Sequence, residues 1–323
     1  MSHIIKATLK CHSKSELIEA IQKEISAQGW SVDLNHLDVS EISDFKSMFS
    51  KKYGLSKFVG NISAWDVSRA IDMSEMFKNS KFNGDISAWD VSKVENMFAM
   101  FMESKFNRDL SKWDVSGVET MTGMFVGSFF NQPIGSWNVS GVKEMRMMFM
   151  NSRLFDQPLN DWKVSSVITM NGMFKNSVFN KPLDRWDTRN VQDMDEMFEW
   201  SEFDQPIEQW DVRHVKRMNS MFANSKFNQD IGAWSLESLG DASFMFYQSA
   251  MKKNLLPWDR FLKYVLFKKG IFMDSEMAKE LGEKNPSWER VQEWMRAQER
   301  SQWLDVKLTE ITEGTLDVKK HRL

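Results

Sequence analysis

A single cysteine, Cys11, occurs in 323 residues, so no internal disulfide can form. Long apolar runs are missing too, and nothing approaches the ~20 consecutive apolar residues that a membrane-spanning helix needs. The N-terminal MSHIIKATLKCHSK has neither the charged start nor the apolar run of a signal peptide, and no lipid-attachment cysteine follows such a run. We therefore expect a reduced, cytoplasmic protein without membrane contact. A net charge of -3 and a pI of about 6.0 leave no basic excess for wholesale phosphate binding, so direct binding to nucleic acid is not expected.

Chemistry-bearing motifs are equally scarce. There is no phosphate loop, dinucleotide glycine pattern or nucleophile elbow. The histidines, His3, His12, His36, His214 and His321, lack metal-ligand spacing. Carboxylates are plentiful, but nothing in the sequence pairs any two as acid and base. The expectation is a protein that is not an enzyme and needs no cofactor.

What the chain does have is Trp, Phe and Met in register. Tryptophans in the pattern I/L-x-x-W fall at Trp65, Trp89, Trp113, Trp137, Trp162, Trp186, Trp210 and Trp234, 24 residues apart with one step of 25. A Phe stands seven before each, Ile or Leu three before, usually Val two after, and Met-Phe eleven and twelve after. Self-similarity at a fixed period means stacked units, which grow by addition and need no second core. The 24 methionines suit such small, nearly identical cores, because Met fills irregular gaps.

Within one unit, Phe82 to Ser104, the run Ile86-x-x-Trp89-x-Val91-x-x-Val94 has the rhythm of a leucine-rich repeat. It predicts a short strand at Trp89 to Val91, with Trp89 and Val91 inward and Ala88, Asp90 and Ser92 outward. Val94, Met97, Met100 and Phe101 follow at helix-like offsets and predict a short helical or 3₁₀ return. The motif F-N-x-D-I-S-x-W-D-V-S-x-V-x-x-M-x-x-M-F resembles the BspA-type leucine-rich repeats of bacterial surface proteins and mycoplasma lipoproteins, over roughly Asp33 to Trp258. That resemblance implies an α/β, parallel-stranded leucine-rich-repeat solenoid serving as a binding or adhesion surface. Its surface members usually carry an export signal, a pattern the N-terminus here does not follow.

We expect about nine 24-residue repeats in three parts. Residues 1–34 form a βαβ cap, with strands over Ile4 to Lys10 and Trp30 to Leu34 around a helix. Ser13 and Glu16 cap that helix, Leu17, Ile18, Ile21 and Ile25 mark its inner face, and Gly29 ends it. Residues 35–258 form the solenoid, with Leu37 in the first Trp column. Residues 259–323 form a helical cap: helices over Pro257 to Lys269, Ser275 to Leu281 and Pro286 to about Trp303, then a possible hairpin of Val306 to Ile311 with Thr315 to Lys319.

Two polar columns stand out. Asn83, Asn107, Asn131, Asn180 and Asn228, with Asp156 and Asp204, read as a structural ladder that satisfies backbone groups turn by turn. The column after Trp, which includes Asp38, Asp66, Asp90, Asp114, Asn138, Lys163, Asp187 and Asp211, should line the exposed strand face. Like charges on neighbouring strands ~4.8 Å apart repel by about 1 kcal/mol in water. Arg189 and Arg213 stand two residues beyond Asp187 and Asp211, where earlier repeats carry Ser68, Ser92 and Ser116. Either these Asp accept local hydrogen bonds, or Asp66, Asp90 and Asp114 await a basic partner, alternatively Ca²⁺. Lys112, Asn138, Lys163, Arg185, Arg189 and Arg213 would complete that binding border. The expected function is protein binding by occupancy, as a scaffold or inhibitor of an intracellular partner, bacterial or from a phage or mobile element. A surface adhesin and a mimic of nucleic-acid charge are the alternatives.

Overall fold

The computed structural model describes residues 8–320, with side chains through residue 309. Strand β1 (Leu9–Lys10) pairs in parallel with β2 (Leu37–Asp38), Leu9 opposite Leu37, and helix α1 (Lys14–Gln28) lies between them in sequence. Ser13 Oγ accepts the Glu16 N–H, and the Glu16 carboxylate reaches back to the His12 N–H, so orphan donors at the helix start are satisfied. Leu17, Ile21 and Ile25 are buried, and Gly29, at φ 85°, ends the helix. The expected strand over Trp30 to Leu34 pairs elsewhere: Val59 N–H donates to Trp30 O, Asn61 N–H to Val32 O and Leu34 N–H to Asn61 O. Leu37 is the first member of the Trp column, so β1 lies against the first turn. Of the strand expected over Ile4 to Lys10, residues 4–7 lie outside the described residues.

The repeats stack turn on turn, and the hydrogen-bonded ladder between them does not run where the sequence rhythm puts it. Parallel bridges join Asp44, Asp72, Asn96, Thr120, Glu144, Thr169, Asp193, Arg217, Asp241 and Phe267 in succession. Through Asp241 this column lies seven residues after each member of the Trp column, and Phe267 lies nine after Trp258. No strand forms at Trp89 to Val91; that segment is tight turns, with Trp89 N–H on Ile86 O and Val94 N–H on Val91 O. Trp89 and Val91 are nonetheless buried, and Asp90 and Ser92 exposed. In place of a backbone ladder, each indole Nε1–H donates to the preceding turn: Trp89 to Ile62 O at 3.2 Å, Trp113 to Ile86 O at 3.0 Å, Trp137 to Leu110 O at 2.9 Å.

The predicted helical return is also replaced. Met73, Glu75, Phe77 and Asn79 donate N–H to Asn96, Phe98, Met100 and Met102 of the next turn, while Met76, Lys78 and Ser80 bond three residues back. Glu75 and Asn79 have φ of 57° and 59°, and the equivalent positions of later turns are left-handed too. A left-handed residue every fourth position stops a helix from propagating and turns alternate N–H groups toward the neighbour. Several of these positions hold Gly or Asn, the residues that tolerate φ above zero best.

Phe, Ile/Leu, Trp, Val and Met columns fill the interior. Trp137, Trp162, Trp186, Trp210 and Trp234 form a continuous stack, with centroids 6.2 to 6.5 Å apart and rings within 5° of parallel. The stack runs past Trp258, where the sequence pattern fades: Trp258 lies 6.5 Å from Trp234, Phe272 lies 5.6 Å from Phe246, and Gln248 N–H donates to Met273 O. Helix α2 (Asp259–Leu262) is a single turn rather than the longer helix expected through Lys269. Helix α3 (Glu276–Leu281) has Ser275 as its cap. Helix α4 (Trp288–Lys320) buries Val291 and Met295 over the end of the stack and continues through the expected hairpin. Extending a helix already nucleated is easier than forming an isolated two-stranded hairpin. Among the described residues no helix is long and apolar enough to cross a membrane.

Candidate partner-binding face

The Asp column after Trp lies at a turn, not on a strand face, and its carboxylates are already engaged. Asp66, Asp90 and Asp114 each accept the backbone N–H two residues on, from Ser68, Ser92 and Ser116, at 3.0 Å; Asn138 accepts from Ser140 at 3.2 Å. Asp90 also takes the Ser92 hydroxyl at 2.6 Å. The serine hydroxyl and then its N–H hold Asp90 and Asp114 below the usual carboxylate range, and the Asp90 charge opposes this only weakly at Asp114. Local hydrogen bonds thus outweigh the cross-turn repulsion that suggested a missing cation.

The basic residues of that predicted border do not gather. Arg189 and Arg213 fold back onto Asp187 and Asp211, with Nε to Oδ1 distances of 2.8 and 3.0 Å. Arg185 pairs with Asp161 at 3.0 Å. Lys112 and Lys163 are exposed and make no ion pair among the described residues. Nor do three or more His, Cys, Asp or Glu side chains converge as metal ligands among the described residues.

The Asn column is a continuous ladder. The N–H of Asn107 donates to Asn83 Oδ1, Asn131 to Asn107, Asp156 to Asn131, Asn180 to Asp156, Asp204 to Asn180, Asn228 to Asp204 and Lys252 to Asn228. Each side chain satisfies the next turn's backbone, and the only requirement is an oxygen acceptor. Asp substitutes for Asn on that ground.

A different face has the properties of a site. On the bridged ladder the inward Met and Phe repeat almost without change, whereas the position two beyond the bridge is Phe98, Thr122, Arg146, Asn171, Asp195 and Asn219 in six consecutive turns, with Thr122 buried. Phe98 and, two turns further on, Met147 are 41% and 36% exposed. Beyond them lies a charged network. Arg217 pairs with Asp193 and, at 3.0 Å, with Asp195, and Lys175 reaches Glu196 and Glu199 at 2.6 Å each. Burial pushes the Asp195 carboxyl up to about 6, against the Asn219 N–H that favours its charge. Burial pulls the Lys175 ammonium down, but its bonds to the two glutamates win and leave it raised. Sequence reasoning missed this face because it placed the strand at Trp-x-Val. The available signal was the run of Gly and Asn at alternate columns, beside positions that change from turn to turn.

Three overlapping segments, residues 18–129, 102–181 and 175–280, match the family described as Mycoplasma protein of unknown function, DUF285. Comparison with curated proteins and with solved structures gave no match.

Proposed function

We propose that this chain, which belongs to the Mycoplasma protein family of unknown function DUF285, is a non-enzymatic binding module that holds another protein on the outward side of its bridged ladder. The fold reading is a leucine-rich-repeat solenoid of the BspA type, with terminal caps. The 24-residue step, the parallel bridges and the buried Trp-x-Val columns support it. One observation carries the function: near-identical turns change the side chain two beyond the bridge, from Phe98 through Arg146 to Asp195. A scaffold under packing demands alone would repeat its surface as it repeats its core. Side chains that change from turn to turn on a constant backbone give an extended, addressable surface of the kind repeat proteins use. Acting by occupancy inside the cell, as scaffold or inhibitor, is the role we assign.

A second reading keeps the exposed Asp66, Asp90 and Asp114 edge as the contact for a basic protein. Their exposure favours it; their satisfied hydrogen bonds do not. One experiment separates the two. A partner captured by the wild-type chain from mycoplasma lysate is re-measured against Phe98→Ser/Arg146→Ser/Met147→Ser and against Asp66→Asn/Asp90→Asn/Asp114→Asn. The ladder reading expects the first set to abolish binding and the second to leave it within twofold. The reverse pattern transfers the interface to the Asp edge.

A further inference from the structure

Each turn gives a row of N–H groups to the carbonyls of the next turn, and the last turn has no next. Ser220 and Phe222 donate to Ser243 O and Met245 O, each at 2.9 Å, and Phe244 and Phe246 donate to Lys269 O and Ile271 O at 2.9 and 2.8 Å. One turn on, the equivalent groups are the N–H of Gly270 and of Phe272, and no acceptor among the described residues takes either. The next in the row, Asp274 N–H, is closed by Lys284 O at 2.8 Å. Gly270 is left-handed at φ 62°, so the backbone here has the alternation that aims successive N–H groups to one side, a geometry suited to anions.

These open donors border a cavity of about 600 Å³ between the last turn and the start of α4. Gly270, Phe272, Lys268 and Lys269 line one side of it, and Trp288, Glu289 and Gln292 the other. Gln292 is only 8% exposed, and its amide Nε2 has no partner. A buried donor left unpaired is disfavoured, and an acceptor placed in the cavity would relieve it. The first turn of α4, a helix of 33 residues, adds the positive end of its dipole.

Two acids belong to the same surroundings. Asp259 is engaged by the Trp288 indole at 3.0 Å. Glu289 bonds its own N–H and the Ser287 hydroxyl, which hold it below the usual carboxylate range. Lys268 is bound to Leu262 O at 2.8 Å. Both acids thus have local partners while the Gly270, Phe272 and Gln292 donors have none among the described residues, and Glu289 is a built-in competitor at the helix end.

We propose that this cavity is an oxyanion site, taking the phosphate or carboxylate head of a small ligand on Gly270 N–H, Phe272 N–H and Gln292 Nε2, with the ligand's apolar body against Trp288. The site is separate from the ladder face. The test titrates the full chain with phenyl phosphate, benzoate and inorganic phosphate by calorimetry, and follows the Gly270 and Phe272 amide resonances. The expected result is saturable binding of phenyl phosphate or benzoate at one site, their ratio identifying the head group, with inorganic phosphate at least tenfold weaker. Gln292→Leu should lose at least tenfold, and Glu289→Gln, on an exposed first turn, should gain severalfold. Absence of saturable binding by all three probes overturns the proposal, as does binding that neither substitution changes or that leaves both amides unshifted. The exposed Glu289→Gln variant decides the matter even if Gln292→Leu does not fold.

Discussion

Replacing Trp137 tests the stack where its geometry is most regular. The indole is 3% exposed, lies 6.5 Å from Trp162 with rings 3° from parallel, and donates to Leu110 O at 2.9 Å. Trp137→Ala removes the ring and leaves a cavity, at ~3–5 kcal/mol. It also takes the indole donor from the Leu110 carbonyl, which keeps the Trp113 N–H at 3.1 Å, so the lost hydrogen bond adds about 0.5–1.5 kcal/mol. Trp137→Phe keeps an aromatic body and loses the donor, so it should forfeit mainly the second contribution. Urea titration followed by circular dichroism measures both. Because each repeat touches only its neighbours, the Ala variant should also blur the single transition into two as cooperativity fails at its turn. A Trp137→Ala chain within ~0.5 kcal/mol of wild type, the range of an unremarkable surface change, would refute the inward column and the cross-turn role of the indole.

The Asn ladder needs an acceptor and nothing else, so Asn131→Asp should melt close to wild type while Asn131→Ala, which strips the acceptor from Asp156 N–H and Gln157 Nε2, loses ~1–3 kcal/mol; equal melting of the two in thermal scans would contradict this. Gly172, at φ 59° with Met147 Cγ 3.3 Å from an added Cβ, should lose about 1–2 kcal/mol on replacement by Ala, and less by Asn, read from urea midpoints. The folded Asp195 carboxyl titrates near 6 against 3.8 unfolded, so the folded state holds more protons between those values; its contribution favours folding at low pH and is lost as pH rises through about 6. Asp195→Asn should remove that slope from the melting temperature measured between about pH 4 and about pH 7, and an identical slope in both chains would reassign it.

Much of the scaffold was legible because its signal is redundant. Trp89, Val91, Val94, Met97 and Phe101 are each buried as their spacing requires, and the Asn column makes the ladder its repetition suggested. What the spacing could not distinguish is which stretch of each turn carries the inter-turn hydrogen bonds. Inward-pointing Trp-x-Val fits a strand, but it also fits a tight turn stapled by an indole, and only the donor and acceptor partners separate the two. The same ambiguity reaches the site. On a strand, Asp66, Asp90 and Asp114 would repel one another and call for a partner; in a turn each is satisfied by the N–H two residues on. The end of the stack outruns the sequence pattern for a related reason. Phe267 and Phe272 keep the bridge and the aromatic column after the sequence motif has gone, because backbone pairing needs no particular side chain.

The same backbone economy explains why the two rows of this molecule behave so differently. In the Trp row, contact between turns is made by a side chain, so the residue is fixed and its neighbours serve only to close a turn. In the bridged row, contact is made by alternate N–H groups of Met73, Glu75, Phe77 and Asn79 and their equivalents. The backbone pairing there prescribes no side chain beyond one that accepts a left-handed φ at two positions, although Asp195 adds a bond of its own to the Asn219 N–H of the next turn. The row therefore changes along the stack, from Phe98 to Arg146 to Asp195. Because these four donors per turn all face one way along the stack, its C-terminal end presents unspent N–H groups that no repeat can satisfy. Lys284 O closes one of them and α4 covers the rest without closing it. A surface free to vary on the flank and an excess of donors at the end are thus two consequences of one hydrogen-bonding pattern.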